Sequence, residues 1–372
     1  MKIILTGAGG GHFYPLIAVA ERVKKEAVDE KIIDTEIFFL SDKPYNQDLL
    51  KSKNIEFIKI PAGKMRLYFS LDNFFDPIKS FFGFFVALYH VFKIYPDVVF
   101  TKGGYASIPV LFAAKVLFIP IFMHESDSAP GKSNLLAGKF SKRIATSYVS
   151  AVKYFNPKKT AYTGQPIMEE YLPTKEILEK KKSNFDSDSR KTIFIQGASQ
   201  GSETINNIVL ESLPELLEKY NVIHQTGDLH VNNIKIASEL LLKNNPNREN
   251  YYFFGSGDLS KYYESADLII SRAGSSLFEF AAWGIPSIVI PITISNKNHQ
   301  MLNAYTFEKA GCSLVIEEAN LKKNLLLNNI NQILENKDKY NQMRTANLNS
   351  FKSGAAETIA KEIVKIGLSH NY

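Results

Sequence analysis

Short apolar runs alternate with longer amphipathic stretches along most of the chain. Lys2 to Thr6 is an apolar run that ends in the glycine-rich stretch Gly7 to Gly11. Pro15, followed by Ile17, Ala18, Ala20 and Val23, predicts a helix that opens at the proline. Ile37 to Leu40, Val98 to Thr101 and Ile119 to Met123 have strand character, with helical spacing between them. Glu179 to Arg190 is polar and charged and reads as a surface loop. The opening pattern then returns: Thr192 to Gln196 is a strand, Gly197 to Gly201 a glycine loop, and a helix follows. Val222 to Gln225, Leu268 to Ser271 and Ser287 to Pro291 are later strands. Such alternation predicts parallel sheets covered on both faces. The expected fold class is α/β, with two Rossmann-like domains and a ligand cleft between them at the carboxyl ends of the strands.

Composition agrees with two domains, because 372 residues exceed one ordinary core. Apolar residues make up 45% and charged residues 22%, the profile of a soluble globular chain. Cys312 is the single cysteine, so an intramolecular disulfide is excluded and a reducing compartment fits. A net charge of +6 suits an anionic surface or phosphorylated substrates. No secretory signal is expected, since Met1 to Leu5 runs straight into the glycine loop. The apolar run from Phe81 to Phe92, interrupted by Tyr89 and His90, reads as too short to span a bilayer.

The first glycine loop has the chemistry of a phosphate or sugar cradle, since glycines admit a ligand to the backbone and a helix start favours negative charge. A nicotinamide site is the first alternative. Gly7 and Gly9 fit its G-x-G-x-x-G pattern and Asp42 has the place of a ribose-binding acid, but His12 occupies the third glycine position. Gly131-Lys132-Ser133 resembles the end of a phosphate loop without its first glycine. Asp186-Ser187-Asp188 resembles a metal-binding pair but lies in the polar stretch. The seven histidines show no zinc spacing, so no metal and no cofactor are expected. The second alternative is an α/β hydrolase: Gly197-Ala198-Ser199-Gln200-Gly201 fits a nucleophile elbow, with Asp267 and His299 following in chain order. That reading leaves the first half of the chain without a role.

Taken together, the loops resemble the MurG family of peptidoglycan N-acetylglucosaminyltransferases, which make lipid II from lipid I. The resemblance covers nearly the whole chain. It is carried by Gly7 to Pro15, by Gly103-Gly104-Tyr105 with Ser107 and Pro109, and by His124-Glu125 through Gly131 and Asn134. Thr163-Gly164-Gln165-Pro166, Gly197 to Asn206, Arg272-Ala273-Gly274 with Glu279, and Asn298-His299-Gln300 with Asn303 complete it in order.

The resemblance implies a metal-independent, inverting transfer within a GT-B type pair of domains. It implies an acceptor and membrane-docking domain over 1–162, with the helix near 350–372 packing back on it, and a UDP-GlcNAc domain over 163–349. The implied donor contacts are Gly9, Gly10, Gly11, Asp127, Met168, Ser199, Ser256, Ser275, Ser276, Glu279, His299 and Gln300. Glu279 would accept from the ribose hydroxyls, the serines would lie near the diphosphate, and Gln300 with His299 would read the GlcNAc hydroxyls. The implied acceptor contacts are Tyr105, His124 and Asn134. His12 and Glu125 are the candidate catalytic residues: His12 as base by its ordinary pKa, Glu125 either as base or as a buried carboxylate orienting His124. Met168 stands where the family has an arginine, Asp127 and Gln165 where it has asparagines, and the segment from Arg272 to Glu279 is one residue short.

The expected partners are UDP-GlcNAc, lipid I and an anionic inner-membrane surface, with no nucleic acid. The expected location is peripheral, on the cytoplasmic face of the cell membrane. A related lipid glycosyltransferase with a different acceptor is the remaining alternative. The membrane expectation rests on Phe69, Phe74, Phe75, Phe81, Phe82, Phe84, Phe85 and Phe92, flanked by Lys64, Arg66, Lys79 and Lys93. A helix there is apolar on more than one face, so some phenylalanines should be exposed.

Overall fold

The computed structural model describes the chain except for residues 64–71, 186–189, 198–200, 293–297 and 370–372. The chain forms two compact units, Met1–Glu169 with Lys352–Tyr372, and Glu170–Phe351. Lys64, Arg66 and Phe69, the Asp186-Ser187-Asp188 triplet and Ser199 lie outside the described residues, as do the side chains of Phe74 and Phe75.

The first unit is built on a parallel sheet. Its strands are β1 (Lys2–Gly7), β2 (Glu36–Ser41), β3 (Glu56–Lys59), β4 (Val98–Gly103), β5 (Ile121–Glu125), β6 (Arg143–Thr146) and β7 (Thr160–Tyr162). They lie in the order β3-β2-β1-β4-β5-β6-β7. Ile3, Ile4, Leu5, Val98, Val99 and Phe100 are fully buried, as a sheet covered on both faces requires. The helices are α1 (Gly10–Asp29), α2 (Gln47–Ser52), α3 (Asp72–Ile94), α4 (Ile108–Val116) and α5 (Lys132–Phe140). Helix α1 starts at Gly10 and not at Pro15, which sits inside it. Gly9 at φ +86° turns the chain straight from strand to helix, so the helix starts before the proline can set it.

Helix α3 packs on α4 through one face, burying Ala87, Val91 and Ile94. Gly83 lets α3 lie close against the segment after β3, since a Cβ there would lie 1.8 Å from the Pro61 carbonyl oxygen. The opposite face leaves Ile78, Phe81, Phe82, Phe85, Tyr89 and Phe92 exposed. The apolar part, Asp76–Ile94, reaches 19 residues and is long and apolar enough to cross a membrane, longer than the sequence run suggested. Its packed face makes it a surface helix of this unit.

The second unit repeats the plan with α6 (Lys175–Phe185), β8 (Thr192–Gln196), α7 (Glu203–Lys219), β9 (Asn221–Gln225), α8 (Val231–Leu241), β10 (Tyr251–Phe254), α9 (Ser260–Tyr263), β11 (Leu268–Ser271), α10 (Leu277–Trp283), β12 (Ser287–Val289), α11 (His299–Lys309), β13 (Ser313–Val315), α12 (Lys323–Leu334) and α13 (Lys337–Ser350). The parallel order is β10-β9-β8-β11-β12-β13. Helix α6 occupies most of the stretch expected as a loop. Its Lys181 is buried and donates to the carbonyls of Tyr263 and Glu264 at 3.0 Å each, and to that of Ala266. The charge in this segment therefore includes a buried anchor, which periodicity of apolar residues does not reveal.

The last helix, α14 (Ala355–Leu368), belongs to the first unit and packs on α1. It buries Ile359, Ile363 and Val364, and Glu362 pairs with Arg143 at 2.9 Å.

Candidate active site

In both sheets the strand order reverses beside the first strand, between β1 and β4 and between β8 and β11. The carboxyl ends of strands at such a reversal open a crevice for a ligand. Both glycine loops expected from the sequence lie there.

In the first unit, the loops after β1 and β4 touch. Ala8 N donates to Gly103 O at 3.2 Å, and a Cβ on Gly104 would come within 2.7 Å of the Ala8 Cβ. Gly103 and Gly104 adopt φ of +81° and +85°, which favours glycine at both positions. Asn134 braces this corner: its Oδ1 accepts from Gly104 N at 3.2 Å and its Nδ2 donates to Glu125 Oε2 at 2.8 Å. The other oxygen of Glu125 accepts from Asp127 N at 2.8 Å. Glu125 is fully buried, with both oxygens engaged in closing the loop from 125 to 134. Burial, with the Asp127 carboxylate close by, raises its pKa to about 7.

Glu125 does not orient His124, contrary to one expectation. A buried lysine that sequence reasoning passed over does so instead. Lys102 Nζ donates to His124 Nδ1 at 2.5 Å, to Ser126 Oγ, and more distantly to Gln165 Oε1 at 3.4 Å. A backbone carbonyl only accepts, and Gly164 O faces Nε2, so the His124 proton sits on Nε2 and Nδ1 accepts from Lys102. Nε2 then donates to Gly164 O at 3.0 Å. His124 is neutral, fully buried and committed at both nitrogens, and so has no ring nitrogen open to a ligand. Burial lowers the Lys102 pKa to about 7, against the pull of Glu125 and Asp127. The sequence signal was a lysine ending an otherwise apolar strand, just before Gly103.

His12 lies in the first turn of α1, beside Gly9, Gly10 and Gly11. Its Nδ1 is buried without a partner among the described residues. Burial, and then the positive charge of Lys102, lower its pKa to about 4, while Asp127 pulls the other way. Its imidazole is therefore neutral near pH 7. Tyr105 donates to Asp42 Oδ2 at 2.6 Å and Tyr45 to Asp42 Oδ1 at 2.8 Å, so Asp42 organises tyrosines and is not open to a ribose. Met168 closes this unit with 1% exposure and presents no surface to a ligand.

In the second unit, the loops after β8, β11 and β12 follow neighbouring strands. A Cβ on Gly201 would lie 2.0 Å from Thr226 O, and Ser202 accepts from Ile205 N to cap α7. Arg272 ties this cap to the β11 end: it donates to Ser202 Oγ and Glu318 Oε1 at 2.6 Å each and to Ile290 O at 3.0 Å. Ser275 and Ser276 form the turn into α10, half-buried, and Glu279 stands in its first turn. Glu279 Oε2 accepts from Tyr263 at 2.5 Å. His299 and Gln300 open α11; Gln300 Oε1 accepts from Ile292 N at 3.1 Å, leaving its amide nitrogen as donor. Asn303 Nδ2 donates to Ala273 O at 3.2 Å and holds the two loops together. Ser256 is apart from these loops, after β10, donating to Asp228 Oδ2 at 2.7 Å.

The hydrolase alternative fails on geometry. Asp267 Oδ2 accepts from Thr192 N at 2.8 Å, which places it at the amino-terminal edge of the sheet. The Gly197 loop leaves the opposite edge, and the intervening strand separates the two by roughly 16 Å at 3.3 Å per residue.

Comparison with known proteins agrees with this architecture. The glycosyltransferase family 28 N-terminal domain matches residues 3–146, and the C-terminal domain of that family matches 192–359. A Clostridium tetani protein named UDP-N-acetylglucosamine–N-acetylmuramyl-(pentapeptide) pyrophosphoryl-undecaprenol N-acetylglucosamine transferase is 34% identical over 358 residues, covering 95% of each chain. A Clostridium botulinum protein of the same name is 34% identical over 366 residues, covering 97% of this chain and 99% of its own. Among solved structures, Acinetobacter baumannii MurG superposes with TM-score 0.71 at 23% identity, covering 98% and 99% of the two chains. A UDP-GlcNAc 2-epimerase from Neisseria meningitidis follows at TM-score 0.67 and 16% identity, covering 98% and 100%. At those identities the structural likeness speaks for the fold alone.

Proposed function

Because the chain belongs to glycosyltransferase family 28 and, within it, to the MurG transferases, we propose that it transfers GlcNAc from UDP-GlcNAc to the C4 hydroxyl of undecaprenyl-diphospho-MurNAc-pentapeptide (lipid I), forming lipid II with inversion. The observation that carries this reading is identity of 34% along nearly the full length of relatives named for that reaction.

The second unit is the donor side in this reading. A carboxylate suits a ribose diol, and Glu279 supplies one with a single oxygen engaged. Ser275, Ser276 and the turn into α10 lie where a diphosphate would meet backbone N–H groups. Ser199 keeps its implied place by the diphosphate on the resemblance alone. Gln300 offers an amide donor and His299 a ring nitrogen to the sugar hydroxyls. As the anomeric bond breaks, charge gathers on the departing UDP, and fixed N–H groups stabilise it without reorganising.

The first unit is the acceptor side. We assign His12 as the base: its imidazole stands in the first turn of α1, beside the glycine loop, and is neutral near pH 7, so it can take a proton. A lowered pKa makes it a weak base for an unactivated hydroxyl. The hydroxyl becomes far more acidic once its oxygen begins to bond to the anomeric carbon, so transfer late in the step suits it. Glu125, Asn134, His124 and Lys102 act as the brace that fixes the loops, and Tyr105 lines them through Asp42.

The exposed face of α3 is the docking surface for an anionic membrane. Lys79 and Lys93 are exposed beside its phenylalanines, and α4, packed against it, adds Phe112, Val116 and, just beyond, Phe118. Aromatic and apolar side chains flanked by lysines suit the headgroup boundary. The substrate's lipid tail stays in the bilayer, so in this reading the protein works at the membrane surface, peripherally and on the cytoplasmic face. The test is incubation with UDP-GlcNAc and a short-chain lipid I analogue: the acceptor must gain the mass of one GlcNAc, and an unchanged acceptor refutes the assignment.

A further inference from the structure

Glu279 has one carboxylate oxygen in a fixed hydrogen bond and one without a partner among the described residues. The fixed bond comes from Tyr263, the last residue of α9, which is fully buried. The phenol ring is held among Phe194, Phe280 and Trp283, at centroid distances of 6.1, 5.9 and 6.1 Å. Its backbone is anchored as well, because Lys181 of α6 gathers the carbonyls of Tyr263, Glu264 and Ala266 onto one ammonium. Ring and backbone together fix where the hydroxyl stands, 2.5 Å from Glu279 Oε2.

We propose that Tyr263 is the positioning residue of the ribose subsite: it holds Glu279 so that the second oxygen is kept for the ribose hydroxyls, and thereby sets the preference for a ribonucleotide over a 2′-deoxyribonucleotide donor. This rests on Glu279 being the ribose contact. Burial raises the Glu279 pKa and the Tyr263 hydrogen bond lowers it. Without the phenol, the half-buried carboxyl drifts toward its neutral form, a poorer acceptor, and its side chain is free to turn.

Tyr263→Phe retains the ring and removes one hydroxyl. Steady-state kinetics with UDP-GlcNAc and its 2′-deoxyribose analogue provide the readout. The variant should raise the KM for UDP-GlcNAc about tenfold, the weight of one charge-assisted hydrogen bond, with kcat changed by less than about twofold. The ratio of kcat/KM between the ribose and deoxyribose donors should fall by a similar factor, an effect that general loosening does not produce. Unchanged KM and ratio in a folded Tyr263→Phe overturn the proposal. Glu279→Gln, measured in parallel, separates two failures. If it raises the donor KM while Tyr263→Phe does not, the positioning role falls alone; if neither variant responds, the ribose reading of Glu279 falls too. Should Tyr263→Phe not fold, 3-fluorotyrosine at 263 retains shape and hydroxyl with stronger donation, and a donor KM identical to wild type overturns the proposal.

Discussion

Serine in place of Phe81, Phe82 and Phe85 should release the protein from anionic vesicles while leaving its chemistry intact. The three side chains are 61%, 63% and 51% exposed. At roughly 200 Å² per phenylalanine they offer about 350 Å² of apolar surface to a bilayer. Complete burial of that area would contribute about 9 kcal/mol at 25 cal/mol per Å². A helix lying in the headgroup boundary buries one side, and half of the area corresponds to about 4 kcal/mol, or about a thousandfold in partitioning. Exposed positions tolerate serine, so thermal stability should move by less than about 0.5 kcal/mol per site. The assay is co-sedimentation with vesicles containing anionic lipid. Wild type should pellet at low salt and progressively less at higher salt, since Lys79 and Lys93 act over a Debye length of about 10 Å at 0.1 M. The triple variant should stay in the supernatant yet turn over a short-chain soluble acceptor at nearly the wild-type rate. Wild-type protein remaining in the supernatant with anionic lipid at low salt refutes the docking surface, as does a triple variant that pellets like wild type.

Two further outcomes follow from buried groups. Lys102→Met removes the donor to His124 Nδ1, Ser126 and Gln165, so kcat should fall by at least about tenfold while the KM for UDP-GlcNAc stays put. Nitrogen NMR should show the His124 Nδ1 resonance shifted by the loss of its donor, and an unaltered His124 spectrum would remove Lys102 from this role. His224 is buried between Asn206 and Tyr251, and burial lowers its pKa to about 3. Unfolded chain takes a proton near 6.5 and folded chain only near 3, so the stabilisation is complete above 6.5 and is lost as pH falls through that window, costing about 2 kcal/mol by pH 5. Urea unfolding of His224→Gln between pH 7 and 5 should show a shallower loss than wild type, and an equal slope would contradict this.

The parts of the fold legible in the sequence were those with strong local chemistry. Apolar runs such as Lys2 to Thr6 and Thr192 to Gln196 announced central strands, and the glycines after them marked turns that a Cβ would obstruct, as at Gly104 and Gly201. Edge strands β3, β7 and β13 passed unnoticed because each is only three or four residues long, partly exposed, and lacks a long apolar run. Helix α6 looked like a loop because its lysines and glutamates conceal one buried anchor, Lys181. Site residues that sit beside glycines were visible, among them His12, Tyr105 and Ser275. Lys102 and Tyr263 were not, since their roles come from partners 22 and 16 residues away along the chain, which local spacing does not encode. The sequence likewise left open what Glu125 holds: Asn134 and the Asp127 amide, and not His124.

The most direct test is the structure of the product formed from UDP-GlcNAc and a short-chain lipid I analogue by purified protein. The account predicts, by NMR of the isolated product, a single β-linked GlcNAc on the C4 oxygen of MurNAc, with UDP released in equal amount. Transfer with retained α configuration, attachment at another hydroxyl, or conversion of UDP-GlcNAc to its C2 epimer with no acceptor consumed would contradict it.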